Sequence, residues 1–128
     1  MARILWLSRH EPLPRQIEAL RQLYGDRVEV VQDVSPFRGA DDIAERIRRG
    51  GYDDVLVVAP LSVIHQLTQR GIYPLWAEME RVDDPRQAEV VEGERMYRFV
   101  ALRRIRELRL VFEEAHPYRM KRGPEKSL

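Results

Sequence analysis

The sequence has no cysteine and no asparagine, and Lys121 and Lys126 are its only lysines among 22 basic residues. Without cysteine there is no disulfide, no thiolate nucleophile and no Cys-ligated zinc or iron–sulfur site. Histidine is scarce too: His10, His65 and His116 are too dispersed to suggest a metal site, so no metal or other cofactor is expected. No apolar run approaches the roughly 20 residues of a membrane span. The N-terminus lacks the basic, apolar, small-residue progression of a signal peptide, which predicts a cytoplasmic protein without a membrane partner. Depletion of thermolabile residues fits a thermophile, and a GC-rich genome biases codons in the same direction. A net charge of +1 argues against a generic nucleic-acid coat protein, and duplex DNA is not an expected partner.

What is present is a soluble composition, 44% hydrophobic and 34% charged, in 128 residues, the size of one domain. The first ten residues organise the rest. Ile4-Leu5-Trp6-Leu7 leaves no polar face, which suits a strand buried on both sides of a parallel sheet. Glu11-Pro12-Leu13-Pro14 then forces an extended turn, and Pro14 can open a helix with Ile17, Leu20 and Leu23 inward and Gly25 as its cap. Val28, Val30 and Val31 form a second strand ending at Gln32-Asp33. Asp41 or Asp42 can cap a second helix that stops at Gly50-Gly51. Val55 to Ala59 is the most strand-like run, broken at Pro60, and Ser62 is a candidate cap for a third helix closing at Gly71. A fourth strand spans about Tyr73 to Glu80.

This alternation predicts an α/β fold, a Rossmann-like parallel sheet of order 2-1-3-4 with helices on both faces. No G-x-G-x-x-G follows the first strand, so a nicotinamide or flavin enzyme is not expected. Beyond Asp83-Asp84-Pro85 a C-terminal β extension over 86–115 reads as an antiparallel hairpin, Ala88 to Glu92 and Met96 to Leu102. Leu108, Leu110 and Phe112 alternate as a third strand, although Leu102, Ile105 and Leu108 would also make a helical stripe. The chain is expected to be a single domain with a flexible tail at 119–128. Trp6 and Trp76 are most simply core residues.

Open α/β sheets bind ligands in the crevice at the carboxyl ends of their strands. Ser8, Arg9 and His10 fall there: a hydroxyl, a permanent cation and an imidazole suited to a phosphate, or else a turn, a solvated arginine and a helix cap. Ala59-Pro60-Leu61-Ser62 occupies the same edge, where Ser62 and the helix's first N–H groups can bind an anion or simply begin a helix. His65 lies one turn further on and reads as a ligand contact or an ordinary surface or core histidine. Gln32 and Asp33 can meet a ribose or cap their own loop. The last third is locally basic through Arg95, Arg98, Arg103, Arg104, Arg106, Arg109, Arg119, Lys121 and Arg122, a solvated face or a hold on a polyanion.

The strand ending in Ser8-Arg9-His10, the turn Ala59-Pro60-Leu61-Ser62, and Leu75-Trp76-Ala77-Glu78 after Arg70-Gly71 resemble a known group over residues 1 to 80. It is the small CRISPR-associated ring nucleases related to CARF domains. The resemblance implies a Rossmann-like homodimer that opens a cyclic oligoadenylate, typically the tetra-adenylate, without metal, and so switches off type III CRISPR signalling. It implies catalytic roles for Ser8, Arg9 and His10, and ligand contacts at Gln32, Asp33, Pro60, Leu61, Ser62 and His65. Two other readings stand beside it: a cyclic-nucleotide sensor that does not cleave, and an RNA- or protein-binding subunit acting through the basic C-terminal segment.

Overall fold

A computed structural model describes residues 1–121. Its elements, in chain order, are β1 (Arg3–Leu7), α1 (Pro14–Tyr24), β2 (Glu29–Gln32), α2 (Ala40–Gly50), β3 (Asp54–Val57), α3 (Leu61–Gln69), β4 (Leu75–Val82), β5 (Val90–Glu92) and β6 (Arg95–Arg104). A 3₁₀ turn at Pro85–Gln87 leads into β5. The fold is mixed α/β: one six-stranded sheet in the order β2-β1-β3-β4-β6-β5.

The apolar run of β1 is buried throughout because alternate residues serve opposite faces of the sheet. Ile4 and Trp6 pack with Leu20 of α1 and with Leu56 and Leu75. Leu5 and Leu7 pack with Ala40 and Ile43 of α2, Val55 and Val57 of β3, and Ile64 and Leu67 of α3. One helix therefore covers one face and two cover the other. β1 is parallel to β2 and β3, so their carboxyl ends share one edge.

The hairpin expected as a separate extension joins the main sheet. β6 lies antiparallel to β4 from Leu75↔Arg104 to Val82↔Met96, so the expected four-stranded parallel sheet becomes a six-stranded mixed one. The register shifts between Glu78 and Met79: Ala101 faces Glu78, Phe99 faces Met79, and Val100 is left between them. That bulge turns Phe99 onto the face that α1 covers, where it is buried. Arg15 of α1 reaches across to donate to the Phe99 carbonyl at 2.7 Å and to Glu89 at 2.7 Å, which fixes the start of α1 against the hairpin.

Several local expectations are corrected. The N-cap of α2 is Gly39, not Asp41 or Asp42. Asp42 instead lies inside the first turn, where its Oδ2 accepts from the Arg38 N–H at 3.0 Å. Ser62 does not cap α3, because the Pro60 carbonyl already accepts the N–H groups of Val63 and Ile64, and Ser62 is the second helical residue. β4 runs Leu75–Val82, two residues later than expected.

No third strand forms at Leu108, Leu110 and Phe112: residues 105–121 have no regular structure. The ladder with β4 ends just past Arg104, where the Ile105 N–H donates to the Pro74 carbonyl at 2.9 Å, and the described residues beyond pair with no strand. Trp76 is 51% exposed rather than in the core. Leu75 beside it faces the α1 side, so Trp76 falls on the opposite face, beyond the reach of α2 and α3. The expected tail at 119–128 lies mostly outside the described residues. Among those described, no helix is long and apolar enough to cross a membrane.

Candidate functional site

The turn after β1 is fastened by its main chain. The indole Nε1–H of buried Trp6 donates to the His10 carbonyl at 3.0 Å. Gln32 Nε2 at the end of β2 donates to the Ser8 carbonyl at 3.0 Å. The His10 N–H donates to Ser8 Oγ at 3.2 Å, leaving the hydroxyl proton of Ser8 free to donate elsewhere. With the backbone held in this way, the side chains of Arg9 and His10 project to solvent. Arg9 forms no ion pair among the described residues. His10 Nε2 lies 3.9 Å from Glu92 Oε1, a carboxylate delivered by β5.

Two clefts flank this turn. One, of about 310 Å³, is floored by Trp6, Leu56, Ala77 and Met79 and bordered by Ser8, His10 and Glu92. The other, of about 380 Å³, lies between Ser8-Arg9-His10 and the loop Asp33 to Phe37. Both volumes fall in the range of small-molecule sites. Ser8, His10 and Val58 line both clefts, so the turn is the ridge that divides them.

The loop walling the second cleft is staked down from α2. Arg46 donates to Asp33 Oδ2 at 3.3 Å, to the Ser35 carbonyl at 2.9 Å and to the Pro36 carbonyl, while also meeting Asp42 at 3.1 Å. Asp33 Oδ1 accepts the Ser35 N–H at 2.9 Å. That backbone donor, with Arg46 adding to it, holds the Asp33 carboxyl below its usual range. Asp33 thus borders the cleft while its own oxygens are occupied. Gln32 is occupied as well, by the Ser8 carbonyl, and borders neither cleft.

The residues after β3 lie elsewhere. Leu61, Ser62 and His65 line a separate cavity of about 520 Å³, whose opposite wall is Leu108, Arg109 and Leu110. Pro60 supplies the helix cap and lines none of these spaces. The structure therefore gathers Ser8, Arg9 and His10 with Asp33, and separates them from Leu61, Ser62 and His65.

Sequence reasoning missed Glu92 and Met79, which reach the site only through the long-range pairing of β4, β6 and β5. It also missed a buried cluster at the opposite edge of the sheet. Asp54, its side chain 5% exposed, takes Arg104 in two parallel bonds of 2.7 and 2.8 Å, the Val55 N–H at 2.8 Å, and the Tyr24 hydroxyl. Burial first, and Asp54 second, pushes the Tyr24 phenol up. The two bonds to Asp54 likewise raise Arg104.

Four of the eight described cations of the basic C-terminal stretch are paired with acids. Arg103 pairs with Glu78 at 2.8 Å, Arg98 with Glu80, Arg104 with Asp54, and Arg109 with Glu107 at 2.8 Å. Arg106 lies over the Tyr73 ring, 5.0 Å from its centre. No protein-family model, curated protein or solved structure matches this chain.

Proposed function

We propose that the turn Ser8-Arg9-His10 handles a phosphodiester whose two nucleosides occupy the clefts on either side. On this reading the chain is a metal-independent ring nuclease acting on cyclic oligoadenylate, with the tetra-adenylate as the first candidate. The observation that carries it is the placement of a hydroxyl, an unpaired guanidinium and an imidazole on one ridge between two ligand-sized clefts. The apolar floor of the smaller cleft suits a base, and the ridge suits the anion between two sugars. A Rossmann-like relation to CARF-type ring nucleases fits the same arrangement. A two-fold homodimer would present the ridge twice to a symmetric ring.

The reaction needs no external reactant. A ribose 2′-oxygen attacks the adjacent phosphorus, its proton passes to a base, and the bond from phosphorus to the 5′-oxygen breaks as that oxygen takes up a proton. The products are a 2′,3′-cyclic phosphate and a free 5′-hydroxyl. Arg9 offsets the charge gathering on the phosphoryl oxygens, the Ser8 hydroxyl donates to one of them, and His10 moves the proton, with Glu92 nearby as a carboxylate that can draw the imidazole in.

The test is incubation of the purified protein with radiolabelled cyclic tri-, tetra- and hexa-adenylate in EDTA, followed by native and denaturing gels. Linear products ending in cyclic phosphate are expected, with Arg9→Ala slower by about 10²–10³-fold under single turnover. Arg9→Ala at the wild-type rate would remove that assignment, and neither cleavage nor a shift would remove the whole reading. A shift without cleavage is the sensor outcome, favoured by one observation: the His10 side chain is 80% exposed and only loosely held.

A further inference from the structure

Beyond β6 the chain lays Ile105 and Leu108 against the core and then turns its next apolar residues outward. Leu110, Val111 and Phe112 are 80%, 86% and 85% exposed. Three consecutive apolar residues held in water on a backbone without regular structure mark a surface that another chain covers. Among the described residues they pair with no strand of the same molecule's sheet.

We infer that residues 109–113 pair antiparallel with the same residues of a second copy, about a two-fold axis at Val111. Charge and shape choose both partner and register. With the axis at Val111, Arg109 faces Glu113 of the partner subunit, and the same pair recurs across the axis. Leu110 faces Phe112 of the partner subunit, again twice. Moving the axis to Leu110 would set Glu107 against Glu113 of the partner subunit, two like charges. Moving it to Phe112 would set both Leu110 and Val111 against acidic residues, where the Val111 axis sets only Leu108 against one, Glu114 of the partner subunit.

Leu110 forms part of the wall of the 520 Å³ cavity beside α3. In the chosen register Phe112 of the partner subunit stands next to Leu110 on the same face. It therefore enters that cavity and covers Leu61, which is otherwise 72% exposed. On the other face Arg109 keeps its own Glu107, at 2.8 Å, on one side and gains the partner's Glu113 on the other. Glu113 gives up or shares its 3.3 Å contact with His116. The inference does not rest on the ring-nuclease reading, because Ser8, Arg9 and His10 line none of this cavity.

Sedimentation velocity of the full chain over a concentration series tests it. Wild type sediments as a dimer, Arg109→Glu as a monomer, and Arg109→Glu with Glu113→Arg as a dimer again. The chain has no cysteine of its own, so Val111→Cys reports directly on the axis. Oxidised Val111→Cys runs as a covalent dimer on a non-reducing gel, whereas Val91→Cys, exposed on β5, remains monomeric. A monomeric wild type, a dimer indifferent to Arg109→Glu, or no cross-link through Val111→Cys would overturn the inference.

Discussion

Arg104→Met tests whether the cluster at the amino edge of the sheet holds the fold together. The substitution preserves much of the side chain's length but removes both bonds, of 2.7 and 2.8 Å, that Asp54 receives from Arg104. Breaking a buried ion pair costs about 3–5 kcal/mol when the surviving charge has no other partner. Two facts reduce that here. Arg104 is 37% exposed, so part of the attraction is screened by water, and Asp54 keeps the Tyr24 hydroxyl and the Val55 N–H. The expected loss is therefore about 2–3 kcal/mol, or a fall in Tm of about 6–15 °C for a domain of this size. Urea unfolding followed by circular dichroism measures it, with the wild-type slope retained. Asp54→Asn supplies the companion measurement: in that background no buried charge remains, and Arg104→Met should cost about 1 kcal/mol or less. A loss below about 1 kcal/mol in the wild-type background, or the same loss in both backgrounds, would refute the reasoning.

The same cluster predicts alkaline sensitivity. The Tyr24 phenol is raised above its ordinary 10.0, so above that pH the folded chain binds the extra proton, and stability is present below pH 10 and lost as pH rises through the folded value. Tyr24→Phe should be less stable at neutral pH yet lose less on alkalinisation, as read by thermal melts across the range. Asp33 works in the opposite direction: its carboxyl lies below the ordinary 3.8, so its contribution is present above that pH and lost as pH falls through the lower folded value. The stability gap between wild type and Asp33→Asn should therefore narrow in acid melts. Gly50→Ala reverses the usual helix preference of about 1 kcal/mol for alanine, because a Cβ there would stand 2.2 Å from the Tyr52 ring. The ring must leave its place under Arg3, and denaturation should show a net loss of stability rather than a gain.

What could be read from the residues was whatever is decided locally. Four consecutive apolar residues announce a strand buried on both faces because each face needs only its own alternate pair, and Ile4-Leu5-Trp6-Leu7 fills both. Pro14 at the start of α1 and the positive-φ glycines Gly25 and Gly51 after α1 and α2 punctuate the chain where its composition says they should. The failures share a cause. Leu108, Leu110 and Phe112 carry the side-chain period of a strand, but a strand also needs a partner strand, and none of the described residues supplies one. Trp76 is apolar and sits in a strand, but whether a helix covers its face depends on where α3 ends.

The distribution of charge shows the same limit at the site. Counted along the chain, positive charge accumulates in the last third, which reads as a solvated face or a hold on a polyanion. In the folded chain β4 lies against β6, and Glu78 and Glu80 meet Arg103 and Arg98, while Asp54 takes Arg104 from 50 residues away. Pairing across the sheet thus spends part of the charge that was most conspicuous in the sequence. At the carboxyl edge the reverse occurs: Arg46 satisfies Asp33, and Gln32 and Trp6 hold the backbone of the turn, so Arg9 is left unpaired between two clefts. A cation that the fold positions but does not neutralise can give its charge to a ligand without first breaking an ion pair of its own. Arg95 and Arg119 also form no ion pair among the described residues, but Arg9 stands in the turn between two ligand-sized clefts, and that placement is why the candidate site lies there.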